Sequence, residues 1–243
     1  MPGRSTAETS CSNNDGPFVT FLEVWLVRQQ HLLDELVTAQ QNLHESRNDY
    51  FRDLTTRVSS HYQQYYHEKF REVSRNTFGV LSPPWFTPYE RTLLWISGFK
   101  PDLAFRLVER SVGGELSQDQ SQRMNQLVEE TEREKIDLEN QLEEVQMSVA
   151  ALPMVQAMRG RRRGRDGVGE ELGTVVERLR ERMEGVVVRA DWLRMTTVEG
   201  VMGILSPVQN VKFLAAATQL QLNIRRWGLQ KEAETESRQA PNE

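Results

Sequence analysis

Residues with the potential to do chemistry are few in this chain of 243 residues, and their spacing is unhelpful for catalysis. The histidines are His31, His44, His61 and His67, all within what reads as the first two helices, and Cys11 is the single cysteine. "HEKFR" at His67 begins like a zinc-protease helix, in which two histidines four apart share one face and grip the metal, but Arg71 stands where the second ligand belongs. His61 and His67 are six apart and fall on different helical faces. The chain contains no G-x-S-x-G elbow, P-loop, dinucleotide fingerprint or Cys–His cluster. The acidic pairs Glu129–Glu130 and Glu143–Glu144 are adjacent in helical sequence and so diverge into solvent. "HYQQYYH", from His61 to His67, offers rings that could stack on a base or a ligand, or simply flank a core. The expectation is a non-enzymatic protein with no cofactor and no metal.

One charge feature needs a reading of its own. "RGRRRGRDG" places Arg159, Arg161, Arg162, Arg163 and Arg165 within seven residues of a chain whose net charge is -5. Without them the formal charge would be -10, so the body behind them is acidic and repels phosphate. The run reads as an arginine-rich loop over 153–170: a solvated hairpin tip, a nuclear-import signal, or a weak, salt-sensitive nucleic-acid contact.

The elements that carry these residues are helical almost throughout. Phe18, Phe21, Leu22, Trp25, Leu32, Leu33 and Leu36 form one apolar stripe, with Asp15 as an expected cap and Pro17 near the first helical position. A second helix is expected from Ser46 towards Arg75, with Tyr50, Leu54, Val58, Tyr62, Tyr65 and Phe70 inward or at its rim. "TPYE" is a capping box at Thr87 that predicts a short buried helix through Leu93, Leu94, Trp95 and Ile96. Another short helix follows through Leu103 and Val108. "SQDQ" at Ser117 opens the longest helix, whose seam runs through Met124, Val128, Thr131, Lys135, Leu138, Leu142 and Val145, with two polar interruptions. That seam suits either an intramolecular antiparallel hairpin with the helix around Leu179, Val186 and Ala190, which the small number of heptads favours, or a homodimeric coiled coil. Thr196 is read as the start of a further helix, Ser206–Pro207 as the start of the last one, and Gly228 as its terminal cap. The predicted fold is all-α: a single helical bundle with a long antiparallel hairpin, between a disordered tail over 1–17 and a charged tail over 229–243. No apolar run reaches the ~18 residues of a membrane span, and a lone cysteine fits a reducing compartment, so the sequence reads as soluble, nuclear and cytoplasmic.

Three segments carry a likeness. They are "FVTFLEVWLVRQQHLLDELVTA", "HYQQYYHEKFREVSRNTFGVLSPPWFTPYERTLLWISGFKPDLAFRLV" and "RADWLRMTTVEGVMGILSPVQNVKFLAAATQLQLNIRRWG". In type, order and spacing they resemble the Delay of Germination domain of plants over roughly residues 18–228. That domain stands alone in seed-dormancy regulators and forms the C-terminal part of TGA-type bZIP transcription factors. The resemblance implies a helical regulatory domain that acts by protein–protein contact in abscisic-acid, stress or developmental signalling.

The bZIP reading needs a basic helix and leucine heptads, whereas 17 residues with one basic residue, Arg4, precede the first helix here. A stand-alone member is therefore expected, and sequence-specific DNA binding, direct or through a bZIP partner, is the alternative. The resemblance also implies haem held by two histidines four apart in the last helix; the matching positions are Gln221 and Arg225, so no haem is expected there. Dormancy members engage protein phosphatases of the abscisic-acid pathway through an acidic-aromatic motif, whose imperfect counterpart is "FLEVW", Val24 separating the candidate contacts Glu23 and Trp25, and the core stripe being the favoured place for Trp25. A third possibility is a small apolar ligand lodged between helices.

Overall fold

The computed structural model describes residues 16–43, 47–159 and 168–239, and its regular elements are helices apart from one isolated bridge. In chain order they are α1 (Pro17–Gln40), α2 (Asn48–Arg75), α3 (Thr77–Leu81), α4 (Pro88–Arg91), α5 (Asp102–Val112), α6 (Gln118–Arg159), α7 (Val168–Ile204) and α8 (Pro207–Gln239). The all-α bundle is thus the observed fold. α6 and α7 form the antiparallel hairpin: Gln120 reaches the Ile204 carbonyl at one end, Thr131 meets Thr197, and Arg189 and Arg182 pair with Glu134 and Glu144 further along. The two polar interruptions of the α6 seam are both satisfied. Thr131 faces Thr197 at 3.3 Å, and Lys135 pairs with Asp102 of α5 at 2.9 Å and with Glu132.

Two apolar cores lie along the bundle. In the lower one, Leu32 and Leu36 of α1, Phe51, Leu54 and Val58 of α2, Val108 of α5, Val201 of α7 and Phe213 of α8 interlock. In the upper one, Phe18 and Trp25 of α1 pack with Val73, Trp85, Leu138, Val187 and Ala190. Tyr62 packs against both. Each buried side chain of this size contributes roughly 1.5–3 kcal/mol relative to exposure, which is why helices of ordinary propensity hold their places.

Several boundaries differ from the sequence expectation, each for a local reason. α1 starts at Pro17 with Gly16 at its N-cap and no side-chain cap; Asp15, Cys11 and Ser46 lie outside the described residues. Of the residues expected inward or at the rim of α2, Phe70 is exposed. α7 is continuous through Thr196, because the Thr196 and Thr197 hydroxyls bond back to the carbonyls of Trp192 and Leu193 instead of capping a new helix. α6 extends to Arg159 and α7 starts at Val168, so the expected loop over 153–170 is largely helical at both ends.

α8 also continues past Gly228 to Gln239, into the segment expected to be a charged tail. Gly228 is buried at a crossing, where an added Cβ would stand 2.1 Å from Thr87 Oγ1. That glycine permits a close approach of α8 to the start of α4; it does not cap a helix. α4 itself ends at Arg91, and Leu93 is exposed, so the buried helix through Leu93–Ile96 does not form.

Candidate functional site

What replaces that helix is a tight turn. Trp95 and Gly98 exchange backbone hydrogen bonds at 2.6 and 3.2 Å, and the two residues between them, Ile96 (φ 44°) and Ser97 (φ 65°), both occupy the left-handed region. Such turns ordinarily carry Asn-Gly, and a β-branched residue there is an outlier that neighbouring structure must enforce. The enforcing groups are two buried cations. Lys69 of α2 donates to the Ser97 carbonyl at 2.8 Å, while Arg194 of α7 donates to the carbonyls of Ile96 at 2.9 Å, Phe99 at 2.7 Å and Trp95. Asp191 accepts from both, at 2.8 Å from Lys69 and 2.6 Å from Arg194. Gly98 is part of the same design, since a Cβ there would lie 2.8 Å from the Arg194 guanidinium. Burial, opposed by the pull of Asp191, brings the Lys69 ammonium down to about 8.

Beside this ionic knot lies a cavity of about 190 Å³ between α2, α5, α7 and α8. Its walls are largely apolar, among them Leu107, Met195, Val198, Phe213 and Ala217, and its turn-side wall includes Gly98 and Phe99. Tyr65, Tyr66 and Lys69 of α2 are among its lining residues, Lys69 lying one turn beyond each tyrosine. Burial, then the Asp191 charge, pushes both tyrosines well above the ordinary phenol range, so their hydroxyls keep their protons. Tyr62, also at the cavity, belongs to a neutral knot. Its hydroxyl donates to Gln221 at 3.0 Å, accepts from Gln29 at 2.5 Å and meets Thr218 at 3.3 Å. Burial pushes Tyr62 up to about 12.

The residues nominated from sequence fall in separate places. Trp25 is a core residue, stacked on His61 with ring centroids 4.4 Å apart and its indole N–H bonded to the His61 carbonyl at 2.9 Å. Glu23 is exposed on the outer face of α1, next to exposed Val24 and Val27. The motif is therefore divided, with its acid outside and its indole inside. Arg161, Arg162, Arg163 and Arg165 lie outside the described residues, as does the side chain of Arg159. Sequence reasoning missed Lys69, Asp191 and Arg194; the available signal was charge falling on the α7 stripe beside Ala190 and Leu193. It also missed Trp192, 64% exposed, which shares a groove with Phe70 and His67 between α7 and α2.

Comparison with known proteins places the whole arrangement. A family model for seed dormancy control (DOG1) matches residues 32–110, from the second half of α1 to the end of α5. Over 235 residues the chain is 35% identical to Protein RESPONSE TO ABA AND SALT 1 of Arabidopsis thaliana, covering 93% of this chain and 97% of that one. The chain belongs to the seed dormancy control family. Another member, Protein ZW2 of Arabidopsis thaliana, is 34% identical over 241 residues, covering 94% of this chain and all of its own length (100%). Transcription factor TGA2.3 of Oryza sativa subsp. japonica is 25% identical over 214 residues, 86% of this chain and 64% of the factor. Membership in the seed dormancy control family makes this a regulatory, protein-interacting and non-enzymatic chain.

Within that family the strained turn has a plain address: it is the centre of "LWISGF", part of the segment by which the sequence resembles its relatives. The positions implied for haem do not fit the group. Gln221 is tied to Tyr62 and Gln29, and Arg225 donates to Glu90 and to the Trp85 carbonyl, both at 2.8 Å. A permanently cationic guanidinium offers no lone pair to iron, and the amide is already engaged. In this chain the two positions fasten α8 to α1, α2 and the α4 corner.

Proposed function

We propose that this protein is a regulator in abscisic-acid, salt-stress or developmental signalling of plants, including seed dormancy, that acts in the nucleus by offering helix surfaces to protein partners. The observation that carries the reading is the near full-length similarity to Protein RESPONSE TO ABA AND SALT 1. Two exposed surfaces supply contact candidates. One is the outer face of α1 with Glu23, Val24 and Val27; the other is the groove with Phe70 and Trp192. Phosphatases of the abscisic-acid pathway and transcription factors are the partner classes, the first through Glu23. Trp25 contributes by fixing α1 rather than by touching the partner.

The similarity to Transcription factor TGA2.3 favours a second reading, in which the chain associates with DNA directly or through a bZIP partner. Affinity purification from plant tissue separates them, using wild type, Glu23→Ala, Trp192→Ser and a variant with Arg159, Arg161, Arg162, Arg163 and Arg165 changed to serine. On the first reading, phosphatases or transcription factors come down with wild type and the arginine variant, and recovery falls with at least one surface variant. Chromatin recovered by wild type and lost from a nuclear arginine variant, after nuclease treatment, instead supports the second.

A further inference from the structure

The cavity between α2, α5, α7 and α8 has a polar end whose chemistry is one-sided. An ammonium carries three donors, and Lys69 spends two of them on Ser97 and Asp191. The hydroxyls of Tyr65 and Tyr66 make no hydrogen bond within the described residues, and both residues line the cavity, Tyr66 also lining the groove between α2 and α7. Asp191 receives both Lys69 and Arg194 on its Oδ1, so at this end two cations face a single carboxylate. The charges facing the cavity are Lys69, Arg194 and Lys100 against Asp191 and Glu199, with Lys100 and Glu199 at the exposed rim. The balance favours an anion. The remaining walls are hydrocarbon and aromatic.

Size narrows the occupant. A dry apolar cavity of ~150 Å³ admits benzene, and this one, at about 190 Å³, has room for one or two fused rings. The left-handed turn at Ile96–Ser97 continues into Gly98 and Phe99 of the cavity wall, so the strained backbone and the open donors belong to one site.

We propose that this cavity binds a compact organic carboxylate, an apolar ring body carrying a single acid group, with the carboxylate accepting from Lys69, Tyr65 and Tyr66 and the ring lying against Leu107, Met195 and Ala217. Occupancy bridges α2, α7 and α8 and so links a small molecule to the surfaces that α2 and α7 present to partners.

The test uses the full chain and titrates 2-naphthoate, its neutral isostere 2-naphthamide, and hexadecanoate by calorimetry. Naphthoate is expected to bind saturably and at least about tenfold more tightly than naphthamide, a charge-assisted hydrogen bond being roughly twice as strong as a neutral one. Hexadecanoate is expected to bind more weakly than naphthoate. Ala217→Phe, which fills the cavity, should abolish naphthoate binding at an unchanged melting temperature. Tyr66→Phe should weaken naphthoate several-fold and leave any naphthamide binding as it was. Lys69→Met should erase the preference for the acid; because it also uncovers Ser97, the tyrosine variant decides the matter if Lys69→Met fails to fold. Equal affinity for acid and amide, tighter binding of hexadecanoate, no saturable binding, or undiminished binding by folded Ala217→Phe would each overturn the proposal.

Discussion

In the lower core, Phe51, Leu54 and Val58 of α2 meet Val201 and Phe213 with no charged side chain buried among them. About three turns beyond Val58 on the same helix, Lys69 is 2% exposed and bound to Asp191 and a strained turn. One helix therefore takes part in two kinds of interior. The lower one follows from area removed from water and is indifferent to small shifts in direction. The upper one depends on directed bonds to four carbonyls and one carboxylate, and it holds a backbone shape that the local sequence does not prefer. Hydrocarbon packing stabilises the bundle; the ionic knot specifies a particular turn and the cavity beside it.

The largest expected effect distinguishes these interiors directly. Asp191→Ala leaves Lys69 and Arg194 facing each other without their counterion and should cost about 3–5 kcal/mol in equilibrium denaturation. Leu54→Ala in the lower core should cost a similar ~2–5 kcal/mol by opening a cavity. The difference lies in rescue. Lys69→Met combined with Asp191→Leu removes a cation together with its partner, and the pair should be less damaging than the two single costs added, by at least ~1 kcal/mol. Additivity within ~0.5 kcal/mol would mean that the knot is three independent contacts and that the comparison with the lower core has no substance.

The junction between the two regions gives a second, pH-dependent effect. His61 is 1% exposed, stacked on Trp25, and its ring nitrogens have no partner among the described residues. Burial, with the nearby Arg28 charge, brings it down to about 4 from an ordinary value near 6.5. Below pH 6.5 the unfolded chain binds a proton that the folded chain refuses, so stability falls as pH drops and levels off below about 4. At about 1.4 kcal/mol per unit this amounts to roughly 3 kcal/mol. His61→Phe should flatten the melting-temperature profile between pH 6.5 and 4 relative to wild type. An unchanged profile would place the acid sensitivity elsewhere.

The same contrast explains what was legible in the sequence. The lower core was readable because its information is periodic: Leu32, Leu36, Leu54 and Val58 recur at helical spacing and are buried as that spacing requires. The capping boxes at Thr87 and Ser117 were readable because their chemistry is local, with Thr87 accepting from the Glu90 amide at 3.2 Å and Ser117 from Gln120 at 3.2 Å. The turn at Ile96 was not. Leu93–Ile96 looks like a buried helix until Lys69 and Arg194, 27 residues before Ile96 and 98 after it, claim the carbonyls that a helix would have bonded internally. Gly228 failed for a related reason: its role is set by Thr87, far away in sequence. Of the candidate contacts, the exposure of Glu23 followed from its place opposite the α1 stripe, whereas Trp192 carries no such signal, because an indole on a helix is ordinarily taken for core.

The smallest expected effect bears most directly on why the upper region is built as it is. Ser97 sits at φ 65° and its hydroxyl, buried, has no partner among the described residues. A non-glycine residue in the left-handed region costs roughly 1–2 kcal/mol, and glycine escapes that cost while losing somewhat more chain entropy on folding. The backbone carbonyl that Lys69 holds is present in either residue. Ser97→Gly should therefore raise stability by about 1 kcal/mol, read as a higher denaturation midpoint at unchanged slope. A loss of stability would mean that the serine hydroxyl has a partner and that the turn is held by more than its carbonyls. A gain accompanied by unaltered 2-naphthoate binding would confine the donors of the cavity to Lys69 and the tyrosines. A gain accompanied by weaker binding would show that stability is forgone at Ser97 to fix the wall of the site, which is the behaviour that separates a specified region from a merely packed one.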